Sequence, residues 1–297
     1  MKNTFISILF LILVLASSFV LALLVGDISN GIDFWNSITL KSWCIIFGIQ
    51  IVIFLPSFIF KTEHYFDITG GLTFILILVF LTYSLITKSD LLYSSKLIPL
   101  FLISLWAIRL SSFLFLRVKR SGKDVRFDEI KTNFFRFMIA WVLQGLWVFI
   151  CLLPVIIMVS SNESTSFMFI LPGVSLWVIG WLIEVISDIQ KTRFNSNLKN
   201  KGNFISSGLW SISRHPNYFG ELILWIGVTI IALPTFSGLQ YLGCITPFFV
   251  YLLLNKISGV NLLEEIANNR WGDDSNYQKY KRKTPVFFPK IFNKRKT

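Results

Sequence analysis

Long apolar runs, separated by short polar stretches, dominate this chain, and their lengths set its architecture. Crossing a hydrocarbon core of about 30 Å takes roughly 20 helical residues. Runs of that order cover 4–25, 43–60, 72–87, 97–116, 134–159, 167–187, 218–233 and 239–257. The third and seventh are short, so the pattern predicts seven to eight transmembrane helices. The expected fold is all-α, a polytopic membrane helical bundle making one integral membrane domain over residues 1–297. The first run is too long for a signal-peptide core of about 7–15 residues, and no small-x-small cleavage site follows, so it reads as a retained helix.

Composition sharpens this. Hydrophobic residues make up 54% of the 297 and charged ones only 15%, where a soluble domain carries about a quarter charged. With eight spans and the N-terminus inside, the polar inside segments are 61–71, 117–133, 188–217 and a tail from 258 to 297. They hold most of the Lys and Arg, while the outside loops hold only Lys41, Lys88 and Lys96. A positive-inside bias therefore accounts for the net charge of +12 without nucleic acid as a partner. It predicts both termini in the cytoplasm. Cys44, Cys151 and Cys244 all fall in apolar runs without a CxxC pair, so neither a disulfide framework nor a zinc site is expected. Two isolated histidines make a metal cluster equally unexpected.

The chemistry concentrates where polar groups meet the apolar runs. Charged residues within spans cost about 2.5–3.5 kcal/mol each on insertion scales and are functional candidates by default. Arg109, Glu184 and Glu221 are of this kind. Glu184 and Asp188 stand four apart, on one helical face, with Lys191 three further on. In ISRHPNYFGELILWIG, Pro216 suits the first helical position, and Asn217 and Glu221 then share a face with Tyr218 beside them. A helix N-terminus attracts phosphate or carboxylate, and Arg193, Lys199, Lys201 and Arg214 add full charges nearby. The stretch reads as an anion-binding helix entrance, with a carboxylate one turn deeper to orient a ribose hydroxyl or an amide. His215 serves either as a helix cap or as a ligand contact. The tail offers Tyr277 and Tyr280 at helical spacing after a break at Gly272, and Trp271, Tyr277 and Tyr280 are costly to expose together. No GxGxxG or GxxxxGK[ST] occurs, so a nucleotide here binds outside a Rossmann or P-loop frame.

The segments SDIQKTRF, NKGNFISSGLWSISRHPNYFGE and RWGDDSNYQKYKRKTPVFFP resemble the C-terminal half of the steroid 5α-reductase superfamily. TEHYFDITGGLTF, RLSSFLFLRVKRSGKDVRFDEIK and WVLQGLWVF are similar to bacterial membrane proteins of unassigned function grouped with it. The resemblance covers about residues 63–289. It implies a helical membrane enzyme that reduces a carbon–carbon double bond conjugated to a carbonyl in a lipid or steroid-like substrate, with NADPH as cofactor and a cofactor cavity facing the cytoplasm. On the cofactor side, Asp188 matches the acid of the superfamily's Ser-Asp pair, and Asn217 and Glu221 match its Asn-x-x-Gly-Glu motif. Arg120 is aligned with a basic residue that reaches the cofactor phosphates. The substrate end departs from the pattern: aligning Arg109 puts Trp106, which has no hydroxyl, where a carbonyl-polarising Tyr is expected. The polarising acid then falls to Glu63, with Asp67 and Tyr65 behind it. Their plainer reading is a loop and a helix start before Thr69-Gly70-Gly71.

Two other classes compete. Isoprenylcysteine carboxyl methyltransferases, which use S-adenosylmethionine, also carry RHPxYxG before an apolar helix and a Tyr-rich basic tail. A transporter predicts matching halves broken by Gly and Pro at the midplane; Pro154, Pro172, Pro234 and Pro247 occur without such halves.

Overall fold

The computed structural model describes residues 2–26, 37–87, 94–121, 127–257 and 259–290. Among these the regular structure is entirely helical. The helices are α1 (Lys2–Val25), α2 (Ile38–Ile59), α3 (Phe66–Thr87), α4 (Ser94–Ser121), α5 (Phe134–Ser160), α6 (Phe167–Ser196), α7 (Pro216–Ala232), α8 (Ile245–Leu252), α9 (Val260–Trp271) and α10 (Ser275–Lys283). Among the described residues eight segments are long and apolar enough to cross a membrane, the upper of the two expected counts. Large apolar side chains such as Phe5, Leu13, Val79, Ile86, Phe101 and Met168 stand exposed along them. In water such a surface is a liability; against lipid tails it is the proper solvent-facing side.

The chain falls into two compact units, one of residues 1–170 with 229–246 and the other of 171–228 with 247–297.

In the first unit α5 is the buried axis, packed by α1, α2 and α3. Asn133 caps it by accepting from the Arg136 N–H at 3.1 Å, and nearly every residue from Val148 to Val159 is buried. Thr69-Gly70-Gly71 lies inside α3. A Cβ at Gly71 would stand 2.2 Å from the Ser111 side chain and one at Gly70 2.8 Å from Gln144, so these glycines let α4 and α5 close onto α3. Polar clasps join these helices: Gln50 donates to Thr73 at 3.0 Å and Gln144 to the Phe66 carbonyl at 3.0 Å.

In the second unit α6 and α7 meet through two pairs of glycines, spaced about two turns apart on each helix. A Cβ on Gly180 would lie 2.5 Å from the Gly220 carbonyl oxygen, and one on Gly227 the same distance from that of Gly173. Small residues permit this backbone approach, which membrane helices use where no hydrophobic drive exists between them. The end of the last span is irregular: α8 gives way to a π-helical turn over Leu253–Ile257. After α9 and α10 the tail is stitched back onto the segment before α7. Lys290 N–H donates to the Ile212 carbonyl at 3.0 Å, Arg214 N–H to that of Pro285 at 2.9 Å, and the Ser213 hydroxyl to that of Phe287 at 2.8 Å.

Candidate functional site

The second unit gathers most of the expected cofactor residues. α6 runs on to Ser196, well past the apolar run, so Glu184, Asp188, Lys191 and Arg193 ride on one helix. Glu184 and Asp188 are buried, as is Glu221 in the second turn of α7. The Asn217 amide donates to Asp188 Oδ1 across the two helices at 3.4 Å. Close glycine packing of α6 on α7 makes this reach possible. Arg193, Lys199 and Lys201 follow on the same segment with exposed side chains.

Pro216 opens α7, and His215 stands at its capping position. Its carbonyl accepts the Phe219 N–H at 3.2 Å, which makes it the capping residue. Its ring stacks on Tyr218, with centroids 5.6 Å apart. Its Nε2 lies 2.9 Å from Glu264 Oε1, and the other carboxylate oxygen of Glu264 accepts from Arg214. Burial is the main reason the imidazole is held below its ordinary pKa; the Glu264 contact works the other way. A neutral ring donating Nε2–H to Glu264 leaves the Nδ1 lone pair buried, with no hydrogen-bond partner among the described residues. Arg214, expected as a phosphate-binding charge, is paired with Glu264. Sequence reasoning missed Glu264, since 49 residues separate it from His215. The available signal was an acid pair, Glu264-Glu265, just beyond the last apolar run.

Tyr277 and Tyr280 hold the tail in place rather than standing open to a ligand. Both rings pack on Phe204, with centroids at 5.1 and 5.5 Å, and the Tyr280 hydroxyl donates to the Trp210 carbonyl at 2.6 Å. Burial pushes the pKa of both phenols up. Lys191 sits over the Trp210 ring at 4.6 Å, and the Trp271 indole donates to the Gly202 carbonyl at 2.6 Å.

The expected polarising acid, Glu63, lies in the first unit, where it is ion-paired. The Glu63 carboxylate is buried and accepts from the Lys131 ammonium at 2.8 Å, while Asp128 stands 3.6 Å from the same ammonium. The hydrogen bond from Lys131 to Glu63 raises the lysine pKa. An ammonium at this distance favours the charged carboxylate, which is the reverse of an acid kept protonated by an apolar pocket. Tyr65 is exposed, and its carbonyl caps the start of α3 by accepting from Thr69 N–H at 2.9 Å; Asp67 follows in the first turn. Trp106 is buried edge-to-face against Phe74, centroids 5.3 Å apart. Arg120 belongs to the last turn of α4, and its side chain lies outside the described residues. Among the described residues no three His, Cys, Asp or Glu side chains stand together as metal ligands.

Residues 53–284 match the family described as "Protein of unknown function (DUF1295)". The chain belongs to this family. The family lies in the steroid 5α-reductase-like group, and its match spans both units. A curated relative, "Probable O-methyltransferase ustE" of Ustilaginoidea virens, is 27% identical over 111 residues, 37% of this chain and 37% of its own length. The similarity thus spans little more than a third of that relative.

Proposed function

We propose that this family member is an NADPH-dependent membrane reductase acting on a carbon–carbon double bond conjugated to a carbonyl in a lipid-dissolved substrate. The observation that carries the reading is the meeting of Asn217 with Asp188, beside buried Glu184 and Glu221 and followed by the exposed cations Arg193, Lys199 and Lys201. The donor set fits a dinucleotide: carboxylates and an amide for its sugar and ring hydrogen bonds, separate cations for its phosphates. NADPH supplies the hydride when bound. The protein's part is to orient it and to stabilise negative charge on the carbonyl oxygen. Glu63, the first candidate for that second role, is held in an ion pair with Lys131, beside Asp128.

Methyl transfer from S-adenosylmethionine is a second reading, favoured by the similarity to the O-methyltransferase and by the engagement of Glu63. S-adenosylmethionine carries no phosphate, so it leaves the three exposed cations to membrane orientation alone. Melting of the detergent-solubilised protein with each compound separates the two, because a specific ligand stabilises by mass action. The reductase reading expects stabilisation by NADPH, reduced in Asp188→Asn and Glu221→Gln, and cofactor oxidation with a long-chain enone. Stabilisation by S-adenosylmethionine with none by NADPH would overturn it.

A further inference from the structure

Next to Glu264 the second unit holds a cleft of about 450 Å³, within the roughly 300–1,000 Å³ typical of small-molecule sites. Its aromatic wall is Tyr251, Phe287 and Phe288, and its polar edge is Asn255, Asn261 and Glu264. The Tyr251 and Phe288 rings stack at 5.9 Å with 28° between their planes, and Phe287 meets Tyr251 edge-on at 5.3 Å. The Asn255 amide donates one hydrogen to the Tyr251 hydroxyl at 2.9 Å, and that of Asn261 donates one to the Lys256 carbonyl at 3.2 Å. Among the described residues, each amide therefore keeps its oxygen and a second N–H. Its lining includes the Glu264 carboxylate, which also receives Arg214 and His215 from the segment before α7.

We infer that this cleft seats the adenine ring of an adenosine-containing cofactor. A flat, neutral, heteroaromatic base matches the aromatic wall by stacking, which is worth about 1–3 kcal/mol per base in proteins that use it. An exocyclic amine beside a ring nitrogen presents a donor next to an acceptor, the complement of an Asn side-chain amide. A charged head group fits less well, because the cleft's carboxylate is already paired with Arg214. From this seat the rest of the cofactor reaches Arg214 and His215, and beyond them Tyr218 and Asn217. The inference deepens the cofactor reading above and rests on it, but it is indifferent to whether NADPH or S-adenosylmethionine is bound, since both carry adenosine.

Adenosine itself is therefore the probe. Its binding to the purified full chain in detergent is measured by calorimetry beside guanosine and cytidine, then with Asn261→Ala and Phe288→Ala. Both positions are exposed, so the variants are expected to fold, and their melting without ligand checks this. The expected result is adenosine binding tighter than guanosine or cytidine by about fivefold or more and weakened about five- to tenfold in each variant, the scale of a lost hydrogen bond or stacking face. Equal binding of all three nucleosides, no adenosine binding, or adenosine binding unchanged in both variants overturns the cleft assignment. If that happens while NADPH still binds, the reductase reading stands without the cleft. If adenosine binds as expected while NADPH does not, the cleft stands and the reductase reading falls.

Discussion

His215 Nε2 and Glu264 Oε1 lie 2.9 Å apart, which ties the residue that starts α7 to the middle of α9. A buried imidazole with its pKa held low has a consequence for stability. Its folded value lies below the unfolded one, about 6.5, so between the two values the unfolded chain binds more protons. Stability from this group is complete above about 6.5 and is lost as the pH falls towards the lower folded value. Lys191 and Arg214 also face the ring and oppose its charging, while Glu264 favours it. Melting in detergent from about pH 8 down to 5 should show a decline that His215→Gln flattens; an identical slope in that variant would exclude the histidine as its source.

Removing Lys131 strands the buried Glu63 carboxylate. Lys131→Met is expected to destabilise the first unit by about 3–5 kcal/mol. Glu63→Gln keeps an acceptor for the ammonium and should cost clearly less. Chemical denaturation of the two variants in the same detergent provides the comparison. Equal losses would mean that the charge on Glu63 is irrelevant.

The α6–α7 contact tolerates no side chain. Gly180→Ala places a methyl 2.5 Å from a carbonyl oxygen and 2.6 Å from the Leu224 backbone nitrogen, so the helices must part, at about 1–3 kcal/mol for such overpacking. Because Asp188 and Asn217 meet across the same two helices, cofactor-dependent stabilisation should shrink in this variant as well. Gly48→Ala, where nothing stands within 4 Å, is the matched control and should leave ligand stabilisation intact.

At the other end of the spans, buried Lys96 donates to the Ser161 carbonyl at 2.6 Å, just past the C-terminus of α5. A cation there complements the helix dipole and satisfies a terminal carbonyl. Lys96→Met should lower stability by about 1–3 kcal/mol, readable as a drop in melting temperature without loss of ligand binding.

The eight spans were legible from the chain alone because the bilayer, as solvent, demands an uninterrupted apolar length and internal backbone pairing. That requirement is local and one-dimensional. Pro216 at the head of α7 and the break at Gly272 followed by a Tyr-bearing helix are likewise written in adjacent residues. The pairings at the candidate site are not. Glu264 with His215 and Lys131 with Glu63 join positions 49 and 68 residues apart, and in the raw sequence each of these side chains is an ordinary loop or helix-end polar residue. Only the packed chain decided that Glu63 is an ion-paired carboxylate and that Tyr277 and Tyr280 hold the tail. A charge's protonation and partners depend on what burial brings within a few ångströms, and helix order alone does not set that.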